Sequence, residues 1–191
     1  IKKKKIDIVV VGPEQPLVDG LVDYLNKKNV RVFGPDKFSS QLEGSKAFMK
    51  KICKTNNIPT AKFGVFKNFD NAYSFIKKIG TPIVVKADGL AAGKGVSVCT
   101  SIKEAVKNTK EILNGKFKSS NKVVLEEFLE GEELSYFIIA DNNSYHFFGS
   151  AQDHKRVGER DVGPNTGGMG AYSPSPLLTK KIEKKIKKKI I

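Results

Sequence analysis

The sequence predicts an α/β fold with an α+β unit in its middle, and three patterns carry that expectation. First, an apolar run, Ile6-Asp7-Ile8-Val9-Val10-Val11, stops at Gly12-Pro13, a helical pattern follows, and Val30-Arg31-Val32-Phe33 stops at a second Gly-Pro pair, Gly34-Pro35. Strand, helix and strand within about thirty residues make a βαβ unit. Second, Pro59 to Asn121 alternates short apolar strands with amphipathic helices, a compact α+β unit of roughly 60 residues between flanking parts. Third, Val123–Leu129 reads as a further strand, and Leu134–Ala140 with Tyr145–Gly149 reads as an antiparallel hairpin around Asp141-Asn142-Asn143.

Taken in order, Ile6–Val11 is expected to be a buried strand of a parallel sheet. Leu17, Val18, Leu21, Val22 and Leu25 recur at helical spacing and predict one amphipathic helix, with Pro16 tolerated near its first turn. Ligands of such sheets lie beyond the carboxyl ends of the strands. That marks Gly12-Pro13-Glu14 as a candidate site, whereas Gly34-Pro35-Asp36 reads rather as a tight turn. A second helix runs from about Ser45 to Thr55 with Phe48, Met49, Ile52 and Cys53 on one face. Lys46 falls in its first turn, where the helix dipole disfavours a cation and welcomes an anion. Lys46 is therefore a candidate phosphate ligand, with a solvated surface lysine as the other reading. Lys62–Phe66 is a strand, and Asp70 begins a helix that ends at Gly80. Ser101-Ile102-Lys103-Glu104 is a capping box for a helix to about Leu113. Asn114–Asn121 is a polar linker.

The stretch Ile83 to Val96 joins an apolar strand to a loop of small residues, Gly89-Leu90-Ala91-Ala92-Gly93-Lys94-Gly95, bracketed by Lys86 and Lys94. Bare backbone N–H groups and two ammonium groups suit a polyanion such as the phosphates of a nucleotide. It is not a Walker A loop, because only three residues separate Gly89 from Gly93 and Gly95 stands where Ser or Thr would meet magnesium. Nor is it a dinucleotide fingerprint, since the third glycine and the strand-to-helix switch are missing. By itself the loop equally fits a hairpin connection with solvated lysines.

The strand Val123–Leu129 ends in Glu126-Glu127-Phe128-Leu129, followed by Glu130-Gly131-Glu132-Glu133. Adenine calls for backbone donors and acceptors beside an apolar wall, and ribose for a carboxylate acceptor. This segment offers all three, although an acidic turn explains it too. Ser150–Pro176 lacks periodicity and is expected to be a long loop, and such loops are usually functional or disordered. It carries Asp153-His154-Lys155-Arg156 and then Gly163-Pro164-Asn165-Thr166-Gly167-Gly168-Met169-Gly170, a combination suited to a second anion. His154 is either a general acid–base or a hydrogen-bonding residue. Lys180–Ile191 places Ile182, Ile186 and Ile190 at i, i+4 and i+8 among lysines, which predicts a helix with a narrow apolar stripe. A membrane-surface helix is the alternative.

The net charge of +14 raises a nucleic-acid reading. Arginine, whose planar fork suits base edges and phosphates, occurs only as Arg31, Arg156 and Arg160 among 34 basic residues. No nucleic-acid partner is therefore expected. Cys53 and Cys99 lack metal-ligand spacing and read as buried, reduced thiols of a cytoplasmic protein. No apolar run of about 18 residues suggests a membrane span.

The motifs VVGPEQPLVDGL, FGPDKFSSQLEGSKAFMK, PIVVKADGLAAGKGV, VLEEFLEGEE and SAQDHKRVGERDVGPNTGGMGAYSP resemble the phosphoribosylamine–glycine ligases, ATP-grasp enzymes of purine biosynthesis, over essentially the whole chain. The last motif is the most diagnostic, because many ATP-grasp enzymes share the glycine loop but not this one. The resemblance implies the end of a Rossmann-like, substrate-binding N-terminal domain (1–42), followed by an incomplete ATP-grasp domain. Residues 43–61 and 129–191 would belong to its central part, and 62–128 to a small lid.

It further implies that Lys46 and Lys86 reach the phosphates of ATP, with Gly89, Gly93, Lys94 and Gly95 folding over them. Glu126, Phe128 and Leu129 would lie at the adenine, with Glu127 in the same nucleotide-binding segment, and Glu132 or Glu133 at the ribose. Gly12, Pro13, Glu14, Asp153, His154, Lys155, Asn165, Thr166, Gly167, Gly168, Met169 and Gly170 would hold 5-phosphoribosylamine and glycine. Asp153, Lys155 and Arg156 would stand closest to the reaction. Magnesium or manganese is implied beside ATP, but no metal ligand in this chain. The family's metal-binding carboxylate and asparagine belong to a C-terminal part that the sequence lacks, so turnover by these residues alone is not expected. A monomer acting on small molecules, without nucleic acid or membrane, completes the expectation. A different ATP-grasp ligase or a biotin-type carboxylase is the nearest rival, and a basic nucleic-acid-binding domain the non-enzyme one.

Overall fold

In the computed structural model, which describes residues 2–91, 94–118, 120–160 and 162–191, a single 3-10 turn at Lys2–Lys4 precedes β1 (Val9–Val10). β1 pairs in parallel with β2 (Val32–Phe33), with Val9 opposite Val32 and Val10 opposite Phe33. The expected buried strand from Ile6 to Val11 is thus reduced to two residues. Ile6, Ile8 and Val10 are exposed and only Val11 of the run is buried. A sheet of two strands offers too little covered surface to bury both faces of an apolar run.

The single helix expected around Leu17–Leu25 is two helices, α1 (Glu14–Asp19) and α2 (Leu21–Lys27). Gly20 separates them with φ +92°, a left-handed conformation that glycine adopts freely. The apolar spacing continues across the break, so spacing alone did not reveal it. A short α3 (Gln41–Gly44) then leads into α4 (Lys46–Thr55). Ser45 caps α4, accepting a hydrogen bond from the Phe48 N–H at 3.1 Å.

The main sheet is built from β3 (Phe63–Phe66), β4 (Ile83–Ala87), β5 (Val96–Cys99) and β6 (Val123–Glu127), in the order β3-β6-β4-β5 and antiparallel throughout. α5 (Phe69–Ile79) and α6 (Ile102–Leu113) supply its connections. The two-residue period of a strand sends Ile83, Val85 and Ala87 of β4 and Val123 and Leu125 of β6 to one face. There they form a closed core with Ala72 and Ile76 of α5 and Ala105 and Ile112 of α6. The alternate positions, Val84, Lys86, Val124 and Glu126, line the other face. β6 ends two residues before the expected limit at Leu129. The capping box of α6 is shifted: Ser101 Oγ accepts from the Glu104 N–H, but Glu104 accepts from the Thr100 N–H instead of the cap's own. Cys99 is buried as expected, whereas Cys53 is only half-buried on α4.

Residues 129–191 form a second compact unit. β7 (Ser135–Ala140) and β8 (Tyr145–Asp153) form the hairpin, with a register shift between Phe137 and Ile138. Asp141 closes its turn by accepting from the Asn143 and Ser144 N–H groups at 2.8 and 2.7 Å. The expected loop Ser150–Pro176 contains short paired segments. β8 runs on to Asp153, β9 (Arg156–Gly158) pairs with β10 (Val162–Asn165), and β11 (Ala171–Tyr172) pairs with the end of β8. These strands are short and mostly solvent-facing, so backbone pairing holds them without an apolar alternation to reveal them. α7 (Lys180–Lys189) follows, capped by Thr179. Ile182, Ile186 and Ile190 share an apolar groove with Leu134, Tyr136 and Ile138. No described helix is long and apolar enough to cross a membrane.

Candidate functional site

At the end of β4 the chain turns into the glycine loop, and the root of that loop is tightly made. The Ala87 N–H donates to Gly95 O at 2.7 Å, closing the loop's base. A Cβ on Gly95 would stand 2.6 Å from Ala91 Cβ, a distance real side chains do not tolerate, and Gly89 has φ +88°. Both glycines are therefore required by geometry. Asp88, buried, accepts from Ser45 Oγ and from the Ala47 N–H, each at 3.0 Å, and meets Lys122 Nζ at 3.6 Å. A carboxylate on the first-turn amides of α4 is favoured by the helix dipole and compensates for the cation that follows the cap. That cation, Lys46, donates to Gly89 O at 2.8 Å. Burial pushes the Lys46 pKa below its ordinary value, with the nearby Asp88 carboxylate opposing the shift.

On the polar face of the sheet, Lys86 Nζ lies 3.0 Å from Glu126 Oε2. The same oxygen is 3.1 Å from Lys50 Nζ, reaching in from α4. Lys50 also donates to Thr60 Oγ1 at 2.6 Å and lies 5.5 Å from the centre of the Phe63 ring. The second oxygen, Glu126 Oε1, is buried without a hydrogen-bond partner among the described residues. A buried acceptor in that condition is costly unless a ligand or water donates to it. Glu127, next along β6, is taken by Lys62, whose N–H donates to its Oε1 at 2.8 Å.

A cavity of about 700 Å³ opens beside the loop, lined by Glu14, Gln15, Glu43, Lys46, Leu90, Ala91, Gly95 and Val96. The structure thus brings Glu14, at the start of α1, together with Lys46 and the loop root. Gly12 and Pro13 immediately precede it, Pro13 as the cap residue of α1. Lys94 is exposed, and Gly93 lies outside the described residues. Phe128 and Leu129, both exposed, close the first unit and open the second, to which Glu132 and Glu133 belong.

Within the second unit, Lys155 Nζ bridges Asp153 Oδ2 at 3.0 Å and Glu133 Oε2 at 3.3 Å. Burial works against the Lys155 ammonium, but the hydrogen bonds to Asp153 and Glu133 outweigh it and raise its pKa. The Lys155 hydrogen bond in turn holds the Asp153 carboxyl below its usual range. A pocket of about 350 Å³ is lined by Asp153, Lys155, Thr166, Gly167 and Gly168. Thr166 shapes it: its hydroxyl donates to His154 O and accepts from the Gly168 N–H at 3.1 Å. The His154 N–H donates to Gly170 O at 3.0 Å and its ring lies 5.8 Å from that of Tyr172. Arg156 reaches the Gly163 carbonyl at 3.0 Å, Asn165 contributes backbone to β10, and Met169 stands exposed.

Reading the sequence missed Ser45, Asp88 and Lys50 as site residues. The only sequence signal for Lys50 was its place one helical turn after Lys46, beside an apolar stripe. Among the described residues no group of three or more His, Cys, Asp or Glu could hold a metal ion, and Asp153 and Glu133 are already taken by Lys155.

A four-stranded antiparallel sheet flanked by helices, with a glycine loop and converging lysines, defines an ATP-grasp domain. Residues 44–191 match the family model described as phosphoribosylglycinamide synthetase, ATP-grasp (A) domain, and residues 1–43 match that of the phosphoribosylglycinamide synthetase N domain. The chain belongs to the phosphoribosylglycinamide synthetase family. It is 51% identical to the phosphoribosylamine–glycine ligase of Mesorhizobium japonicum over 191 residues, covering 100% of this chain and 45% of the relative. The chain therefore spans a little under half the length of the curated relatives it matches. The crystal structure of the Thermotoga maritima phosphoribosylamine–glycine ligase superposes with a TM-score of 0.84 at 35% identity, over 97% of this chain and 46% of that one. The biotin carboxylase domain of the Hydrogenobacter thermophilus 2-oxoglutarate carboxylase shares the fold, with a TM-score of 0.75 at 21% identity over 96% of this chain and 41% of that one.

Proposed function

We propose that the protein carrying this chain is an ATP-dependent ligase that joins glycine to 5-phosphoribosylamine, giving glycinamide ribonucleotide, ADP and phosphate. A glycine carboxylate oxygen attacks the γ-phosphorus of ATP and displaces ADP. The amine of phosphoribosylamine then attacks the acyl carbon of the glycyl phosphate, expels phosphate and loses a proton. Neither step needs a side-chain nucleophile; both need alignment and neutralisation of negative charge. The observation that carries this reading is the convergence of Lys46 and the glycine-loop root, 2.8 Å apart at Gly89 O, on one cavity.

In this reading Lys46 and Lys86 bind the phosphates, and the loop with Gly89, Gly93, Lys94 and Gly95 covers them. The unpartnered Glu126 oxygen supports a donor from the nucleotide at that point, with Phe128 and Leu129 as apolar wall and Glu127, Glu132 and Glu133 in the adjoining acidic segment. The pocket of Asp153, Lys155, Thr166, Gly167 and Gly168 suits an amino acid or a sugar phosphate, with Arg156 nearby. The family implies a divalent metal beside ATP. The described residues offer it no ligand set.

Calorimetric titration of this chain with ADP tests the nucleotide site. Lys46→Met and Lys86→Met are each expected to weaken binding at least tenfold, by loss of a charge-assisted contact. Because burial lowers the Lys46 pKa, affinity should fall on the alkaline side earlier than an ordinary lysine would make it fall. In the protein that carries the chain, ADP release must depend on glycine and phosphoribosylamine together. Release that depends on bicarbonate instead would replace this reading with a biotin-type carboxylase.

A further inference from the structure

Glu126 is held from two sides at once, and its two partners are not equivalent. Lys86 and Lys50 both meet Oε2, at 3.0 and 3.1 Å, yet the Lys86 side chain is 24% exposed and that of Lys50 only 4%. Lys50 is also fixed by Thr60 Oγ1 and by the face of Phe63. Two ammonium groups on one carboxylate leave the cluster with one positive charge to spare, and the more accessible member, Lys86, carries it toward solvent. Removing one partner of a buried ion pair is strongly unfavourable, because it strands the other charge. Were Lys86 the sole partner of Glu126, any anion drawing Lys86 away would incur that penalty.

We propose that Lys50 is a positioning residue, the resident counter-ion of Glu126 that frees Lys86 to leave this carboxylate for the phosphates of a nucleotide. The inference deepens the nucleotide reading above and rests on it for the identity of the anion. α4 thereby serves the phosphates twice, directly through Lys46 and indirectly through Lys50 one turn later.

The test uses Lys50→Met, which keeps an unbranched apolar side chain and removes the charge. Two readouts are taken: acylation of Lys86 by an amine-directed reagent, followed by peptide mass spectrometry, and the affinity for ADP relative to adenosine, which isolates the phosphate contribution. Lys50→Met should reduce Lys86 labelling and shrink the preference for ADP about tenfold, leaving adenosine affinity unchanged. Lys50→Arg should behave as the parent chain. Lys50→Met/Glu126→Gln should recover Lys86 labelling, since no carboxylate remains to retain Lys86. Unchanged labelling in Lys50→Met overturns the proposal. So does a parallel loss of ADP and adenosine affinity that follows a fall in Tm, the mark of a merely structural residue. If Lys50→Met does not fold, Lys50→Gln, which keeps a hydrogen-bonding group toward Thr60 Oγ1 without the charge, takes its place: reduced Lys86 labelling supports the proposal and unchanged labelling overturns it. A parent chain that binds neither ligand defeats the nucleotide reading, and Lys86 labelling across the variants then still decides the pairing with Glu126.

Discussion

In residues 1–128 the four-stranded sheet buries Ile83, Val85, Val123 and Leu125 completely, whereas in residues 129–191 the buried positions described are two serines, Ser150 and Ser175. The hairpin strands β7 and β8 leave Phe137, Ile139 and Phe148 exposed. The two units therefore hold together differently. The first closes an apolar core of alternating strand residues under two helices. The second relies on backbone ladders and polar ties: Ser150 Oγ accepts from the Ser175 N–H at 3.1 Å, Ser150 O accepts from Ser173 Oγ at 2.8 Å, and Tyr172 Oη donates to Gln152 at 2.6 Å. The lysines proposed for the phosphates stand on the first framework. The pocket of Asp153, Lys155 and Thr166 stands on the second, where main-chain groups do more of the shaping.

The sharpest way to break this comparison is to truncate matched apolar residues. Leu125→Ala should cost about 3 kcal/mol in urea denaturation, as removal of a fully buried leucine does. Ile139→Ala, on the open hairpin, should cost less than about 0.5 kcal/mol. Equal losses would erase the distinction between the units.

Asp88→Ala comes next, at about 2 kcal/mol, because it leaves Ser45 Oγ and the Ala47 N–H without their acceptor. The same substitution should weaken ADP binding by loosening the end of α4 that carries Lys46. Stability lost with ADP affinity intact would detach Asp88 from the site.

Ser150→Ala should cost about 1 kcal/mol by stranding the Ser175 N–H, more than the apolar Ile139→Ala in the same unit. The reverse order in denaturation would show that the second unit has an apolar core after all.

The smallest effect concerns acid. Lys155 holds the Asp153 pKa below its ordinary value of 3.8, so the folded value lies under the unfolded one. The contribution is complete above the unfolded value and disappears as pH falls through the folded one. Melting curves of the parent chain and Asp153→Asn should therefore differ slightly near neutral pH and converge as acid protonates Asp153. A gap that widens with acid would contradict the Lys155 pairing.

Burial also explains what was legible in the sequence. β4 and β6 could be read as apolar runs because burial selects apolar residues, and α5 and α6 because one buried face imposes a helical period, whereas the valines of β5, Val96 and Val98, are exposed. The glycine loop and Lys86 stood out as small residues beside lysines at a strand end, and Lys46 as a cation in the first turn of a helix. Gly20 was not read as a break, since the apolar spacing runs through it. β9, β10 and β11 were not read as strands, since solvent on both faces imposes no pattern. Lys50 looked like one lysine among many, because its burial is created by Glu126 and Thr60, which lie elsewhere in the chain.

By itself the sequence determined the apolar periods, the cap residues and the motifs that place this chain in its family, all properties of neighbours along the backbone. Only the tertiary structure decided which lysines are held, by what and how deeply. Lys46 on Gly89 O, Asp88 on the start of α4, and Lys50 and Lys86 on one oxygen of Glu126 are contacts between distant segments. Their strength depends on distance and exclusion of water, and neither quantity exists until the chain has folded.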